Sequence, residues 1–385
     1  MTSTLRIPPD LETPVLLLDE ASMERNVERM QSRMNALGVR FRPHVKTSKC
    51  PEVVRRQLAA GARGITVSTL KEAEQFFDEG IRDILYAVAI VPAKLDHALR
   101  LVRRGLRLTL LVESTAAAQA LSRHGLQHRH CHDAVIEIDT DGHRSGVRPD
   151  DPRLLAVAAG LRANDGNGAR LAGVMTHAGA SYALHDPQAL EAMAERERAG
   201  CVLAAERLRS AGHPCEIVSV GSTPTALSAR SLDGVTEVRA GVYVFFDLVM
   251  AGVGVCALDE IALSVLCSVI GHRLDTGWVI TDAGWMAMSR DRGTQAQARD
   301  CGYGAVCDVG AHPIPELAFA DANQEHGVLH WIGNERVDLE QRFPVGAQLR
   351  ILPNHACATA AQYDHYEVVD GSLSVETAWP RFSGW

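Results

Sequence analysis

The sequence predicts a (β/α)8 barrel followed by a mostly β C-terminal domain, and two observations support this fold class. Eight short β-branched, apolar runs recur in the first two-thirds of the chain, separated by amphipathic stretches with helical spacing. From about Ala257, strand-like runs follow one another without long helices between them. We therefore predict a barrel over residues 20–256 and a β-rich domain built from residues 1–19 and 257–385.

The eight predicted barrel strands are residues 39–44, 64–68, 84–88, 108–113, 135–139, 173–177, 217–220 and 235–239. Helical spacing is clearest in residues 51–60, 70–79 and 187–209. This alternation is typical of parallel βαβ units, and eight such units fit a closed barrel better than an open sheet. An open doubly wound fold is the alternative, but it normally has a glycine-rich fingerprint after its first strand, and residues 43–47 contain no glycine.

The predicted β-rich domain has strand patterns at residues 261–270, 278–282, 327–331, 348–352 and 366–369. Glycine and proline punctuate these runs, as is usual for connections between strands. Residues 15–18 read as an extra strand that precedes the barrel, and we expect it to pair with this domain.

Composition narrows the classes of function. The 385 residues are 46% hydrophobic and 22% charged, which is typical of a globular protein. A net charge of −8 does not favour nucleic-acid binding, and no apolar run approaches the roughly 18 residues of a membrane span. Residues 1–6 lack the apolar core of a signal peptide, and the nine scattered cysteines have no CxxC spacing. We expect a cytoplasmic protein with reduced thiols.

In such a barrel the reactive groups lie at the carboxyl ends of the strands. The side chains found there are one lysine, one histidine, two arginines and a small hydroxylic loop: Lys46, His177, Arg144, Arg239 and residues 221–225. A lysine at a strand end can form a Schiff base, although an ordinary surface lysine has the same sequence signature. The histidine could stack on a planar ring or be a hydrogen-bonded core residue.

The segment Gly221-Ser222-Thr223-Pro224 is predicted to begin a helix after the seventh strand. Backbone N–H groups and hydroxyls at such a position can hold a phosphate, and barrels of this class often bind phosphate beside their last two strands. A plain helix cap with proline in the first turn is the alternative.

A second candidate site lies in the β-rich domain at Asn354-His355-Ala356-Cys357. In an extended segment, residues i and i+2 point to the same side, so His355 and Cys357 could both face one metal ion. A buried histidine beside a small cysteine is the alternative. Two protein ligands would leave positions for water and substrate.

Taken together, eight motifs resemble the fold-type III pyridoxal-phosphate enzymes of the D-serine dehydratase and D-threonine aldolase group. They are RPHVKT at 42–47, GITVST at 64–69, AKL at 93–95, DTDGHRSG at 139–146, THAG at 176–179, GST at 221–223, DAG at 282–284 and PNHAC at 353–357. The resemblance extends over essentially the whole chain. It implies an alanine-racemase-like barrel and a homodimer with shared active sites.

The resemblance also implies individual roles. Lys46 would hold pyridoxal 5′-phosphate as a Schiff base and Arg144 would bind its phenolic oxygen. His177 would stack on the pyridine ring. The phosphate would be contacted by Tyr182, Gly221, Ser222 and Thr223. Either Arg239 or Tyr243 would face the pyridine nitrogen, and His355 with Cys357 would bind Zn²⁺, Mn²⁺ or Co²⁺.

The implied activity is a metal-dependent dehydratase that releases ammonia from a D-β-hydroxy amino acid. The resemblance favours D-threo-3-hydroxyaspartate, which would give oxaloacetate and ammonia, whereas the residues alone leave D-serine and D-threonine open as substrates. A D-threonine aldolase on the same scaffold is the nearest alternative, but the bacterial aldolases often carry Asp where this chain has Cys357. A racemase would not use the His355–Cys357 pair. A non-catalytic pyridoxal-phosphate protein would lack the C-terminal extension of roughly 120 residues.

Overall fold

The computed structural model describes residues 11–370 and 375–384. Residues 1–10, 371–374 and 385 of the predicted β-rich domain lie outside the described residues, and so does the expectation that residues 1–6 are not a signal peptide. The chain forms two compact units. The barrel unit contains residues 29–46 and 53–241, and the β unit contains the described parts of 1–28, 47–52 and 242–384. The domain boundaries given above stay a prediction.

The strands, in chain order, are β1 (Val15–Asp19), β2 (Arg40–Phe41), β3 (Ile65–Val67), β4 (Asp83–Ala89), β5 (Arg107–Val112), β6 (Cys131–Ile138), β7 (Ala163–Asn164), β8 (Asn167–Thr176), β9 (Ile217–Val220), β10 (Glu237–Val238), β11 (Leu263–Arg273), β12 (Trp278–Thr281), β13 (Ala305–Cys307), β14 (Pro313–Ala322), β15 (Gly327–Trp331), β16 (Gln348–Leu352), β17 (His365–Val369) and β18 (Val375–Pro380).

The helices are α1 (Glu20–Ala36), α2 (Pro51–Ala59), α3 (Leu70–Asp78), α4 (Leu95–Arg103), α5 (Thr115–His128), α6 (Arg153–Gly160), α7 (Pro187–Ser210), α8 (Thr223–Ser228), α9 (Leu248–Val253), α10 (Trp285–Met288), α11 (Leu339–Arg342) and α12 (Ala356–Ala360). Local sequence explains several helix starts. Thr69 caps α3 with Glu72 in a reciprocal capping box, and Asp186 caps α7 with a proline in the first turn. None of the helices in the described ranges has the length and apolar character needed to cross a bilayer.

Eight parallel strands form the barrel unit, in the order β2-β10-β9-β8-β6-β5-β4-β3. The ring is completed by a parallel bridge between His44, just beyond β2, and Thr66 of β3. The short strand β7 pairs antiparallel with β8 outside this order. Four side chains from neighbouring strands form one buried apolar cluster: Leu85, Leu111, Val135 and Met175. The closed ring of eight parallel strands confirms the predicted barrel.

A buried ion-pair network crosses the contact between the first and the last barrel strand. Arg42, which follows β2, donates to both carboxylate oxygens of Glu237 in β10 at 3.3 and 3.1 Å, and to Asp83 at 2.8 Å. Burial alone would lower the pKa of Arg42, but the two carboxylates outweigh it and raise that pKa. Gly64 has a φ of +69°, and a Cβ at this position would overlap the Arg42 guanidinium. Both observations explain why the residue is glycine.

The β unit contains one nine-stranded sheet, in the order β12-β15-β14-β13-β16-β11-β1-β17-β18. Strand β11 also pairs with β12, which closes six of these strands into a ring. Strand β1 lies between β11 and β17, as predicted for residues 15–18, and Leu17, Leu266 and Val369 form a buried cluster there. Strands β13, β14 and β18 were not predicted from the sequence.

The buried Arg42–Glu237 pair makes a prediction about stability. In Glu237→Ala the Arg42 charge stays buried while its main partner is lost, so we expect the free energy of unfolding to fall by roughly 3–5 kcal/mol. The measurement is the urea unfolding curve of the variant. The matched control is Glu195→Ala, which removes an exposed partner of Arg198 and is expected to cost less than about 1 kcal/mol. Equal losses in the two variants would contradict the importance assigned to the buried pair.

Candidate active site

The carboxyl ends of the barrel strands bring four of the predicted residues together around His44. Lys46 lies in the turn after β2, and its backbone N–H donates to His44 Nδ1 at 3.4 Å. Burial lowers the pKa of His44 well below its ordinary value, and the nearby charges of Lys46, Arg239, His177 and Arg144 lower it further. The barrel mouth is therefore a cationic pocket with a neutral imidazole at its centre, which suits an anionic ligand.

His177, the residue after β8, has a fixed ring orientation. Its Nδ1 atom is 2.9 Å from the carbonyl oxygen of Gly221, and only the nitrogen can donate in this hydrogen bond. Burial lowers the pKa of His177 to about 3. The ring is consequently neutral at physiological pH, with its Nδ1–H directed at the backbone. Tyr182, in the short 3-10 helix Gly179–Ala183, has its ring centroid 6.0 Å from that of His177.

Arg239, just beyond β10, is buried and held at two points. Its guanidinium donates to the Ser219 hydroxyl and to the Thr176 carbonyl oxygen, both at 2.6 Å. Ser219 in turn donates to Glu237 at 2.8 Å, which links Arg239 to the ion-pair network described above. Burial lowers the pKa of Arg239, while the surrounding carboxylates oppose that shift.

Glu197 of α7 is a positioning residue that sequence reasoning missed. Its buried Oε1 accepts the backbone N–H groups of Ala178 at 2.9 Å and Gly221 at 3.0 Å, so one carboxylate oxygen joins the ends of β8 and β9. Burial raises its pKa, and these hydrogen bonds oppose the shift. The only sequence signal was a charged residue on the buried face of an amphipathic helix.

The predicted phosphate-binding segment begins α8. Gly221 has φ of +134°, and a Cβ there would overlap the backbone of Arg239, which explains the glycine. Ser222 caps the helix in a reciprocal pair with Thr225. The N–H groups of Gly221 and Ser222 donate to Glu197 and to the Thr225 hydroxyl, so both already have acceptors within the protein. The structure therefore shows the helix cap that the sequence offered as the alternative, formed by the same residues that were predicted to bind phosphate.

Arg144 lies on the loop after β6. Its side chain is exposed and lies 3.7 Å from the Glu137 carboxylate. Burial raises the pKa of Glu137, and the charge of Arg144 offsets only part of that shift. Asp139 shapes the loop by accepting the N–H groups of Asp141 and Gly142 at 3.3 and 2.7 Å. Arg144 therefore reaches the cationic mouth from a loop whose backbone is anchored.

The β unit contains the other predicted pair, His355 and Cys357. The prediction that residues 355–357 form an extended segment was wrong. The segment is not extended throughout, because His355 is the capping residue of α12 and Cys357 already lies in the helix. The two side chains nevertheless lie close enough for Cys357 to raise the pKa of His355. The Cys357 sulfur is also 3.1 Å from the Thr47 hydroxyl.

Asp291, also missed from the sequence, orients His355. Its Oδ2 atom is 2.7 Å from His355 Nδ1, which leaves Nε2 as the other ring nitrogen. Burial alone would lower the pKa of His355, but Cys357 and Asp291 outweigh burial and raise that pKa to about 11. Asp247 accepts the N–H of Ala356 at 3.0 Å and fixes the start of α12. A carboxylate that orients a histidine in this way is usual beside metal ions.

Asn354 holds the neighbouring loop against this segment. Its amide donates to the carbonyl oxygens of Asp291 and Gly302 at 3.1 and 2.7 Å, and it accepts the Thr294 hydroxyl at 3.0 Å. These contacts place the carboxylate of Asp291, which is 64 residues away in sequence, beside His355.

The predicted residues divide between the two units. Lys46, Arg144, His177, Tyr182, Gly221, Ser222, Thr223 and Arg239 belong to the barrel unit. Tyr243, His355 and Cys357 belong to the β unit, where Tyr243 is buried in the 3-10 helix Val242–Val244. Arg239 is one of the charged residues that lower the pKa of His44, so it belongs to the same group of side chains as Lys46 and His177.

The residues present fit both implied groups. The barrel mouth offers a primary amine, a neutral imidazole and two guanidinium groups, which match the aldehyde, aromatic ring and anionic oxygens of pyridoxal phosphate. The β unit offers an imidazole and a thiol beside an orienting carboxylate, a donor set that suits Zn²⁺ and other divalent ions of the first transition row.

Comparison with known proteins gives two matching families. Residues 18–249 match the N-terminal domain of alanine racemase, and residues 262–369 match the putative serine dehydratase domain. The chain belongs to the alanine racemase family with a C-terminal serine dehydratase domain. These matches confirm the family, the fold and the pyridoxal-phosphate cofactor expected from the motifs.

Among individual relatives, D-threo-3-hydroxyaspartate dehydratase of Delftia sp. is 60% identical over 97% of this chain and 98% of its own. Its solved structure matches with a TM-score of 0.95, covering 98% of this chain and 99% of that one. A cysteine-to-alanine variant of that enzyme is known in a metal-free form. D-Threonine aldolase of Arthrobacter sp. is 31% identical over 96% of this chain and 92% of its own.

The depressed pKa of His177 predicts a pH dependence of stability. The folded protein keeps this ring neutral down to about pH 3, whereas an unfolded chain protonates histidine near pH 6.5. The unfolded state therefore binds more protons in this range, and stability is lost as the pH falls below about 6.5. His177→Asn keeps a donor for the Gly221 carbonyl but cannot titrate.

We expect wild-type protein to lose about 1.4 kcal/mol more per pH unit than His177→Asn as the pH falls from 6 to 4. Urea unfolding at a series of pH values measures both slopes. Parallel curves for the two proteins would show that His177 is protonated normally in the folded state.

Proposed function

We propose that this protein is a pyridoxal-phosphate- and divalent-metal-dependent dehydratase that converts D-threo-3-hydroxyaspartate to oxaloacetate and ammonia. The observation that carries the proposal is the donor set of the two units. Lys46, His177 and Arg239 converge at the barrel mouth, and a carboxylate-oriented His355 pairs with Cys357 in the β unit. The relative at 60% identity is an enzyme of this activity.

The barrel residues would hold the cofactor. Lys46 would bind its aldehyde carbon, and Arg144 would bind the phenolic oxygen. The neutral ring of His177 would stack on the pyridine, because the hydrogen bond to Gly221 fixes its plane. For the pyridine nitrogen we favour Arg239 over Tyr243, since Arg239 shares the electrostatic cluster of Lys46 and His177. Tyr182, Gly221, Ser222 and Thr223 would surround the phosphate.

The β-unit residues would hold the metal. His355 would use Nε2, because Nδ1 is hydrogen-bonded to Asp291, and Cys357 would bind as the thiolate. A thiolate–imidazole pair favours Zn²⁺, with Mn²⁺ and Co²⁺ as alternatives. Asp291 would keep the imidazole oriented and increase its basicity.

When bound, the cofactor delocalises charge from the substrate Cα and the metal acts as a Lewis acid at the β-hydroxyl. The chain itself supplies the base. Lys46, as a free amine once substrate has bound, would take the proton from Cα. Arg239 is buried and hydrogen-bonded to two neighbours, so it would keep positive charge near the ring without donating a proton. The product enamine hydrolyses to a 2-oxo acid and ammonia.

The substrate test is a panel of D-threo-3-hydroxyaspartate, D-serine and D-threonine with product analysis. We expect ammonia and a 2-oxo acid in equal amounts, fastest from D-threo-3-hydroxyaspartate. Glycine with an aldehyde would instead establish the aldolase, a second candidate that the relative at 31% identity supports. Racemised substrate without ammonia would contradict both.

Replacement of Lys46 tests the cofactor linkage. Lys46→Ala should lose the visible absorbance of the protein-bound cofactor and all turnover, because no other amine is assigned to the aldehyde. The matched control is Lys49→Ala. Lys49 is only three residues away, but its ammonium group donates to the Gly384 carbonyl at 2.6 Å in the β unit. Absorbance and turnover should survive in that control, and a coloured Lys46→Ala protein would refute the assignment.

Replacement of Asp291 tests the metal site. Asp291→Asn should weaken metal binding by about 10- to 100-fold, because the orienting carboxylate of His355 is lost. Metal content after dialysis against graded chelator measures this, with His355→Ala as the fully deficient reference. Asp308→Asn is the control, since it breaks a similar aspartate–histidine pair, with His312, outside the site. Cofactor absorbance should persist in every variant; unchanged metal affinity in Asp291→Asn would refute its positioning role.

We also propose a cytoplasmic homodimer. All nine cysteines are free thiols, which is consistent with a reducing compartment. The homodimer is what the resemblance to the fold-type III enzymes implies. Light scattering should give twice the chain mass of 41.7 kDa, and a single-chain mass would refute the dimer.

A further inference from the structure

The barrel unit carries a second group of metal-ligating side chains that the proposed function does not use. Asp96 of α4 and His124 and His128 of α5 present ligand atoms that all lie within 4.8 Å of one another. Asp96 Oδ1 is 3.1 Å from His124 Nε2 and 3.9 Å from His128 Nε2. Asp96 is exposed and the two histidines are half-buried, so the group is open to solvent on one side.

These distances are close to those of a metal site. Zn²⁺ binds imidazole nitrogen and carboxylate oxygen at about 2.0–2.1 Å, so two ligands of a tetrahedral ion lie about 3.3 Å apart. The two measured separations lie on either side of that value. A movement of His128 by about 0.6 Å toward Asp96 would bring the longer separation to the same value, and a tetrahedral ion would keep its fourth position for water.

The helix places the two imidazoles on one face. His124 and His128 are four residues apart in α5, and their ring centroids are 4.4 Å apart. The backbone next to them is anchored, because Gly125 packs so closely on Gly168 that any Cβ would overlap the Gly168 carbonyl. His130 then donates its N–H to the Gly125 carbonyl at 2.9 Å and so fixes the helix end.

A third histidine, His132, is hydrogen-bonded to the ring of His124. His124 Nδ1 is 3.0 Å from Nε2 of the buried His132 at the start of β6. Without an ion, His124 Nε2 donates to Asp96 at 3.1 Å; an ion bound to Nε2 would replace that hydrogen, and His124 would then donate its Nδ1 hydrogen to His132. A ring hydrogen bond of this kind, on the nitrogen away from the ion, is the usual arrangement around metal-bound histidine.

We propose that Asp96, His124 and His128 form a binding site for Zn²⁺, separate from the His355–Cys357 site. Two neutral imidazoles and one carboxylate form a set that suits Zn²⁺ and leaves an open coordination position. The site would join α4 to α5. It lies beside the amino end of β6, whereas the cationic mouth lies at the carboxyl ends of the barrel strands.

Counting bound Zn²⁺ in the holoenzyme tests the proposal. Equilibrium dialysis with Zn²⁺ should give two ions per chain in wild-type protein and one in Cys357→Ala, which lacks the thiolate of the other site. Addition of His128→Gln or Asp96→Asn to Cys357→Ala should weaken the remaining site by at least about tenfold. The matched control is His312→Gln, which replaces an exposed histidine paired with Asp308, and it should retain the ion.

The outcomes separate this proposal from the proposed function. If His128→Gln and Asp96→Asn both bind as much Zn²⁺ as their parent, the new site does not exist, whatever happens to Cys357→Ala. Co²⁺ gives a second readout, because thiolate charge-transfer bands report only the Cys357 site. His128→Gln in the wild-type background should remove one Co²⁺ while those bands and the enzyme activity persist. Loss of the thiolate bands in that variant would equally overturn the proposal.

Discussion

The seam between the first and the last barrel strand is the constraint on which the barrel site depends. Strand β2 pairs in parallel with β10, and the pairing continues beyond both strands through hydrogen bonds from Arg42 to Val238 and from His44 to Ala240. Lys46 and Arg239 are almost two hundred residues apart in sequence, and only this closure brings their strand ends together. The Arg42–Glu237 pair crosses the same seam and links, through Ser219, to Arg239. Stability and site geometry therefore share one network.

Both units use a carboxylate to position a functional group. In the barrel unit, Glu197 accepts backbone N–H groups from Ala178 and Gly221, just beyond the ends of β8 and β9. In the β unit, Asp291 accepts from the imidazole of His355. The cost of removing a carboxylate from water is offset only when its oxygens receive hydrogen bonds, and both residues meet that condition. The two acidic groups orient other residues, so we assign them no chemistry of their own.

The sequence predicted the eight barrel strands and, through the strand-end rule, most of the barrel-mouth residues. It could not predict Glu197 or Asp291, because each acts on residues that only the tertiary fold brings near. Strand β14 was missed because Pro313 and Pro315 fall within it, and proline normally argues against a strand. The extended reading of residues 355–357 failed for a different reason. Alternation along a strand and capping of a short helix can both bring positions i and i+2 together, and Asp247 selects the helix here.

The histidines of the barrel mouth show how a cationic pocket can form in a chain with a net charge of −8. Two imidazolium ions placed among Lys46, Arg144 and Arg239 would add further repulsion between like charges. Burial and these same cations instead keep His44 and His177 neutral. A neutral, fixed imidazole presents a flat apolar face, while the surrounding guanidinium groups remain to bind anionic oxygens. That division of labour matches a planar aromatic ligand that carries a phosphate, and it follows from electrostatics within the barrel unit alone.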